Sequence, residues 1–129
     1  MSIAKILVVD DDPDFSEITR MVLEPAGYEI VAAASVAEAT KQIDAAWPDL
    51  VLLDVIMSGA AEGIDFARKL HHDPVLRHLP VVMITSIADT RYSEWASPDD
   101  VPFVAGWLAK PVSPRQLIAA VRQVLEQKI

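Results

Sequence analysis

Cysteine is absent from the 129 residues, glycine occurs only 4 times, and aromatic residues make up 6% of the chain. Without cysteine there is no disulfide framework, no thiolate nucleophile and no Cys-based zinc site, which suits a cytoplasmic protein. Scarce glycine beside 52% hydrophobic residues excludes a flexible, low-complexity chain and indicates a globular one. Apolar runs are strand-length and broken by charges, so no membrane insertion is expected. The start, MSIAKILVVDDD, has one lysine and a short apolar run ending in acids, which is not a secretory signal. Positive charge is scarce too: 11 Lys+Arg face 19 Asp+Glu, a net charge of -8. With no basic run to offset that excess, direct nucleic-acid binding is not expected. The length fits one domain large enough to bury a core.

What is present alternates between two patterns. Ile6 to Val9 is an apolar run of strand length. Pro13 to Pro25 carries Phe15, Ile18, Met21 and Val22 at helical spacing. Asp12 suits its N-cap, Pro13 its first position, and Gly27 ends it. Glu29 to Ala33 reads as a second strand, and Ser35-Val36-Ala37-Glu38 is a capping-box pattern opening a helix through Ala46. Leu50 to Leu53 is a third strand, followed by a helix from about Ile64 to His72 and a fourth strand from Val81 to Thr85. A short strand near Gly106 to Ala109 leads to a helix over Pro114 to Gln127. Ser113 with Gln116 caps that helix, and Leu117, Ile118, Val121, Val124 and Leu125 form its buried stripe. Strands apolar on both faces that alternate with helices imply a doubly wound parallel sheet. Between Ala88 and Ala105, Pro98 and Pro102 flank two acids, so an irregular or shortened fourth helix is expected there.

Ligands of such sheets bind at the carboxyl ends of the strands. Asp10 and Asp11 follow the first strand, Asp54 the third, Thr85 the fourth and Lys110 the fifth. Gathered carboxylates repel one another and resist desolvation, a cost that a divalent cation offsets. Oxygen ligands of this kind suit Mg²⁺. Lys110 and Thr85 then offer a point charge and a hydroxyl to a phosphoryl group. Singly, each has a plainer explanation: Asp10 and Asp11 as turn acids, Asp54 as a loop acid, Thr85 as a strand-end residue, Lys110 as a surface lysine. Their joint placement argues for a site. Asp12 is expected only to cap its helix, and Asp14 to sit solvated in the first turn. His71, His72 and His78 are expected to be solvated helix-end residues rather than a metal cluster. Trp47 and Trp95 are expected to pack, and Met21, Met57 and Met83 to fill core.

The segments VVDDDPDF, VLLDVIM, VVMITS and WLAKPV, in this order and spacing, resemble the receiver domain of bacterial two-component response regulators. The likeness runs over essentially the whole chain. It implies a flavodoxin-like α/β fold of sheet order 2-1-3-4-5, with residues 1–129 forming one receiver domain and no output domain. It implies that Asp54 accepts a phosphoryl group, and that Mg²⁺ is held by Asp10, Asp11, Asp54 and the backbone carbonyl of Ile56. Thr85 is then the switch hydroxyl, Lys110 the ion-pair partner of the phosphoryl group, Trp107 the aromatic switch position, and Lys110–Pro111 a cis bond. The positions that orient water in fast-hydrolysing members are Ile56 and Ile87 here. Neither side chain hydrogen-bonds water, so a long-lived acyl phosphate is expected. The sequence departs from the family where Ser58-Gly59 follows Met57, and where one extra residue lies before Gly63.

The implied partners are a histidine kinase or phosphotransfer protein, a downstream protein, and a second copy in a phosphorylation-dependent homodimer. Such a module catalyses its own phosphorylation and dephosphorylation but turns over no small-molecule substrate. Two other classes compete. Asp10-x-Asp12 also matches the nucleophile motif of haloacid-dehalogenase-like phosphatases, with Asp10 phosphorylated; that family usually has a further acidic motif where Thr85-Ser86 stands here. A degenerate receiver acting only as a binding module is the other. Competent residues at all five key positions argue against it.

Overall fold

The computed structural model describes residues 4–57, 62–86 and 103–127. Five parallel strands form one sheet: β1 (Lys5–Val9), β2 (Glu29–Ala33), β3 (Leu50–Asp54), β4 (Val81–Ser86) and β5 (Gly106–Lys110), in the order β2-β1-β3-β4-β5. Helices α1 (Pro13–Leu23), α2 (Val36–Ala45), α3 (Glu62–His72) and α4 (Pro114–Gln127) connect or follow them, with a 3-10 turn at Leu76–His78. The alternating pattern predicts the doubly wound parallel sheet, and the likeness to receiver domains its flavodoxin-like order. The expected irregular helix between β4 and β5 falls outside the described residues, as do Ile87 and Trp95. Among the described residues, no helix is long and apolar enough to cross a membrane.

Side-chain alternation along the strands builds two cores, one on each face of the sheet. Leu7, Val9, Val51, Leu53 and Met83 meet Ala39 and Ile43 of α2 and Ile64, Phe66 and Leu70 of α3. Ile6, Val8, Leu50, Leu52, Val82 and Ile84 meet Leu23 of α1 and Leu117, Val121 and Val124 of α4. β3 is buried along its full length, which explains its all-apolar run. Its last residue is charged, yet it still pairs: Asp54 lies opposite Ile84, because the ladder needs only backbone groups. For the same reason β4 runs two residues beyond its apolar core, to Ser86, and β5 one, to Lys110.

Local chemistry fixes where the helices start. Asp12 accepts the amide of Asp14 at 3.0 Å, with Pro13 behind it at the first helical position. Ser35 accepts the amide of Glu38 at 3.1 Å, while the Glu38 carboxylate reaches back to the amide of Ala34. Ser113 and Gln116 form a reciprocal pair, Gln116 N–H to Ser113 Oγ at 3.1 Å and Ser113 N–H to Gln116 Oε1 at 3.3 Å. After α1 the chain turns at Gly27, whose φ of 104° favours glycine.

Three packing expectations fail. On α1 the buried residues are Ser16, Thr19 and Leu23, whereas Ile18 is 54% and Met21 67% exposed, so Met21 is not core. The buried arc centres on Thr19, flanked by the partly buried Phe15 and Val22, and so turns Met21 outward. Trp47 stands in the connection after α2 and is 44% exposed rather than packed away. His71 is not simply solvated: it is half-buried, its ring stacked on Phe103 with centroids 4.0 Å apart and planes 3° from parallel. Met57 and Met83 are buried as expected.

Candidate functional site

The winding of the sheet reverses at β1, with β2 on one side and β3 on the other, which opens a crevice at their carboxyl ends. Asp10 leaves β1 into that crevice, anchored by its amide to the carbonyl of Ala33 at 3.0 Å. Its Oδ1 accepts the amide of Asp12 at 2.9 Å. The Asp12 carboxylate is committed to its helix cap, so the acid triplet splits, with Asp10 turned inward and Asp12 toward α1. Asp10 and Asp54 are buried, whereas Asp11 is exposed. Asp10, Asp11 and Asp54 each offer a carboxylate oxygen, and these oxygens all lie within 4.8 Å of one another.

Lys110, the last residue of β5, brings the balancing charge. Its ammonium lies 2.7 Å from Asp10 Oδ2 and 3.7 Å from Asp54 Oδ2. That Asp10 oxygen is buried, and the ammonium at 2.7 Å is what offsets its charge. The lysine also sits over the Phe15 ring, 4.6 Å from its centroid.

Burial, and then the charge of Asp10, push the Asp54 carboxyl from 3.8 up to about 7, against the pull of Lys110 and the Ile56 amide. Burial disfavours the Lys110 charge, but the Asp10 hydrogen bond and the charges of Asp54, Asp10 and Asp12 outweigh it and raise its pKa above the usual lysine value. Such a cluster of oxygen donors, short of positive charge, matches a hard divalent cation.

The structure thus brings together Asp10, Asp11, Asp54 and Lys110. Thr85 follows Ile84, the partner of Asp54, and pairs with Ala109, the neighbour of Lys110; register alone sets it at the crevice. Ile56 donates its amide to Asp54 Oδ1 at 3.4 Å, and its side chain packs against the core beneath α2 and α3. Trp107 pairs with Met83 and is partly buried on that same core. The Lys110–Pro111 bond is cis, as expected.

Two residues of the site carried no chemical signal in the sequence. Phe15 read as one member of an apolar stripe. Gly63, in the first turn of α3, gives its amide to the carbonyl of Val55 at 3.1 Å and lies against the Asp54 backbone. A glycine immediately ahead of an apolar helix pattern, here before Ile64, is the trace that could have pointed to it.

Fold and crevice together define a flavodoxin-like α/β protein with an acid cluster and a lysine at its topological switch point. Comparison with known proteins narrows this. Residues 6–122 match the family model of the response regulator receiver domain. The phosphate regulon transcriptional regulatory protein PhoB of Escherichia coli (strain K12) is 33% identical over 127 residues, covering 95% of this chain and 52% of that protein. The DNA-binding response regulator MtrA of Mycolicibacterium smegmatis is 34% identical over 130 residues, covering 95% of this chain and 51% of that protein. The crystal structure of a response regulator receiver domain protein from Clostridium thermocellum superposes with a TM-score of 0.81 at 26% identity, covering 98% of this chain and 97% of that one. The chain belongs to the response regulator receiver family. It spans about half the length of the curated relatives it matches.

Proposed function

We propose that this receiver domain accepts a phosphoryl group on Asp54 and converts that charge into a change of protein-binding surface. The observation that carries the reading is the contact of one lysine with two buried carboxylates, Asp10 at 2.7 Å and Asp54 at 3.7 Å, beside the exposed Asp11. Asp10, Asp11, Asp54 and the Ile56 carbonyl would hold Mg²⁺, whose charge offsets that of the carboxylates and of the transferring phosphoryl group. Asp54 is the nucleophile: a carboxylate oxygen forms the new bond to phosphorus as the bond to the donor's imidazole nitrogen breaks, its electron pair leaving with the imidazole. Lys110 pairs with a phosphoryl oxygen, and Thr85 supplies a hydroxyl to another. Thr85 and Trp107 carry the response, because differential contacts with the phosphoryl group bias two pre-existing states. The donor is a histidine kinase or a phosphotransfer protein, and the reader of the switched surface is a downstream protein or a second copy of the chain.

Incubation with acetyl phosphate and Mg²⁺, followed by mapping of the modified residue, tests this directly. Label on Asp54 is the expected result. Label on Asp10 would indicate a phosphatase of the haloacid-dehalogenase type, and no label a module that only binds.

A further inference from the structure

The Lys110 side chain has a third neighbour that belongs to neither carboxylate. Its ammonium lies 4.6 Å from the centre of the Phe15 ring, within the range at which a cation is drawn to an aromatic face. Lysine is a flexible four-carbon stem with a point charge at its tip, and β5 fixes only its backbone. We propose that Phe15 is a positioning residue for phosphoryl transfer, its ring face keeping the Lys110 ammonium over the crevice while the carboxylates are otherwise engaged.

The need follows from the site's chemistry, and the inference rests on the function proposed above. Asp10 and Asp54 attract the ammonium, and they are also the groups that a cation and a phosphoryl group would occupy. Once they are occupied, the 2.7 Å contact with Asp10 Oδ2 weakens, and a side chain 21% exposed can swing into solvent. A ring neither ionises nor ligates a metal, so its attraction persists through those changes. Its mount is stiff. Phe15 sits in the first turn of α1, behind the Asp12 cap and Pro13, and packs on the core shared by α1 and α4. That packing is also the competing explanation, in which Phe15 is an apolar residue and nothing more.

The full chain separates the two. Phe15→Leu keeps an apolar side chain but removes the aromatic face, and Phe15→Tyr restores it; Phe15→Met is a second aliphatic replacement should the leucine variant fold poorly. In NMR spectra, the Lys110 ε-methylene signals, assigned with Lys110→Arg, should be displaced upfield by the ring in the parent and in Phe15→Tyr. In Phe15→Leu they should return to ordinary positions. At saturating acetyl phosphate and Mg²⁺, labelling of Asp54 should slow about three- to tenfold in Phe15→Leu and recover in Phe15→Tyr, with apparent Mg²⁺ affinity unchanged. Adding Phe15→Leu to Lys110→Ala should slow it no further. Equal rates for parent and Phe15→Leu, or an equal loss with and without Lys110, would overturn the inference alone. A parent that takes no label on Asp54 would overturn the proposed function and this inference with it, even where the ring shift is present.

Discussion

Gly63 lies against Asp54 so closely that a Cβ there would fall 1.8 Å from the Asp54 carbonyl oxygen and 2.9 Å from the Cα of Val55. Both obstacles are backbone, which cannot rotate away as a side chain can. The first turn of α3 is thereby packed onto the end of β3, and the strand end that carries Asp54 is clamped from outside. Gly63→Ala should force helix and strand apart, costing about 2 kcal/mol or more in urea unfolding. It should also reduce Asp54 labelling at least as severely as stability. A variant of full stability and full labelling would show that the approach is not tight.

The contact between Gly63 and Asp54 marks the limit of what the sequence discloses. Direction and layering of the strands followed from apolar runs alternating with helical periods, since β1, β3 and β4 must be covered on both faces, and their order from the likeness to receiver domains. The acids and the lysine were legible because a position at the carboxyl end of a strand is a position in the crevice. Rotation of a helix about its axis is less legible. Ser16 and Thr19 are buried on α1 while Ile18 and Met21 face outward, because the arc is set by how α1 lies on β1 and α4, not by its own hydropathy. Contacts between distant segments, such as Phe15 with Lys110 or His71 with Phe103, leave no spacing pattern at all.

The raised pKa of Asp54 makes the metal-free protein's stability depend on pH. Its carboxyl stands near 7 in the folded state against 3.8 in the absence of these neighbours. Between those values the folded chain holds the proton more tightly than the unfolded chain. This group's contribution is therefore present at low pH and lost as pH rises through about 7. In chelator, urea unfolding should show stability falling from about pH 5 to pH 8, and Asp54→Asn should flatten that slope and stabilise the protein at pH 8 by about 1–3 kcal/mol. Saturating Mg²⁺ should raise the parent's stability most at the alkaline end. A slope unchanged in Asp54→Asn would locate the titration elsewhere.

Thr19 carries a liability that the fold tolerates. Its hydroxyl is fully buried in α1 without a hydrogen-bond partner among the described residues. Thr19→Val keeps the branched shape and removes the unsatisfied group, so it should stabilise the protein by about 1 kcal/mol. Calorimetry or urea unfolding decides this, and a loss of stability would mean that the hydroxyl is satisfied in solution.

The divided roles of the acid triplet can be separated by two substitutions. Asp11→Ala should weaken Mg²⁺ binding in a metal titration and leave the helix cap intact. Asp12→Ala should leave most of the affinity but cost about 0.5–2 kcal/mol, since it removes the acceptor for the Asp14 amide. Equal losses of affinity would mean that Asp12 also turns into the crevice when metal is present.

Ile56 bears on how long the phosphoryl group survives. Its amide points to Asp54 Oδ1 at 3.4 Å, and its half-buried side chain packs on the core beneath α2 and α3. Water attacking an aspartyl phosphate must approach in line with the leaving carboxylate, and a polar side chain at this position could hold that water. A branched aliphatic side chain cannot. Each ~1.4 kcal/mol lost from such orientation slows the step about tenfold. The phosphorylated parent should therefore decay slowly in Mg²⁺, and Ile56→Asn should shorten its lifetime about tenfold while its labelling rate changes little. Because the substitution also removes apolar packing, the decay must be read beside the unfolding midpoint. Faster decay in a variant of near-parental stability assigns the effect to water. Equal lifetimes would leave Ile56 as a packing residue and nothing more.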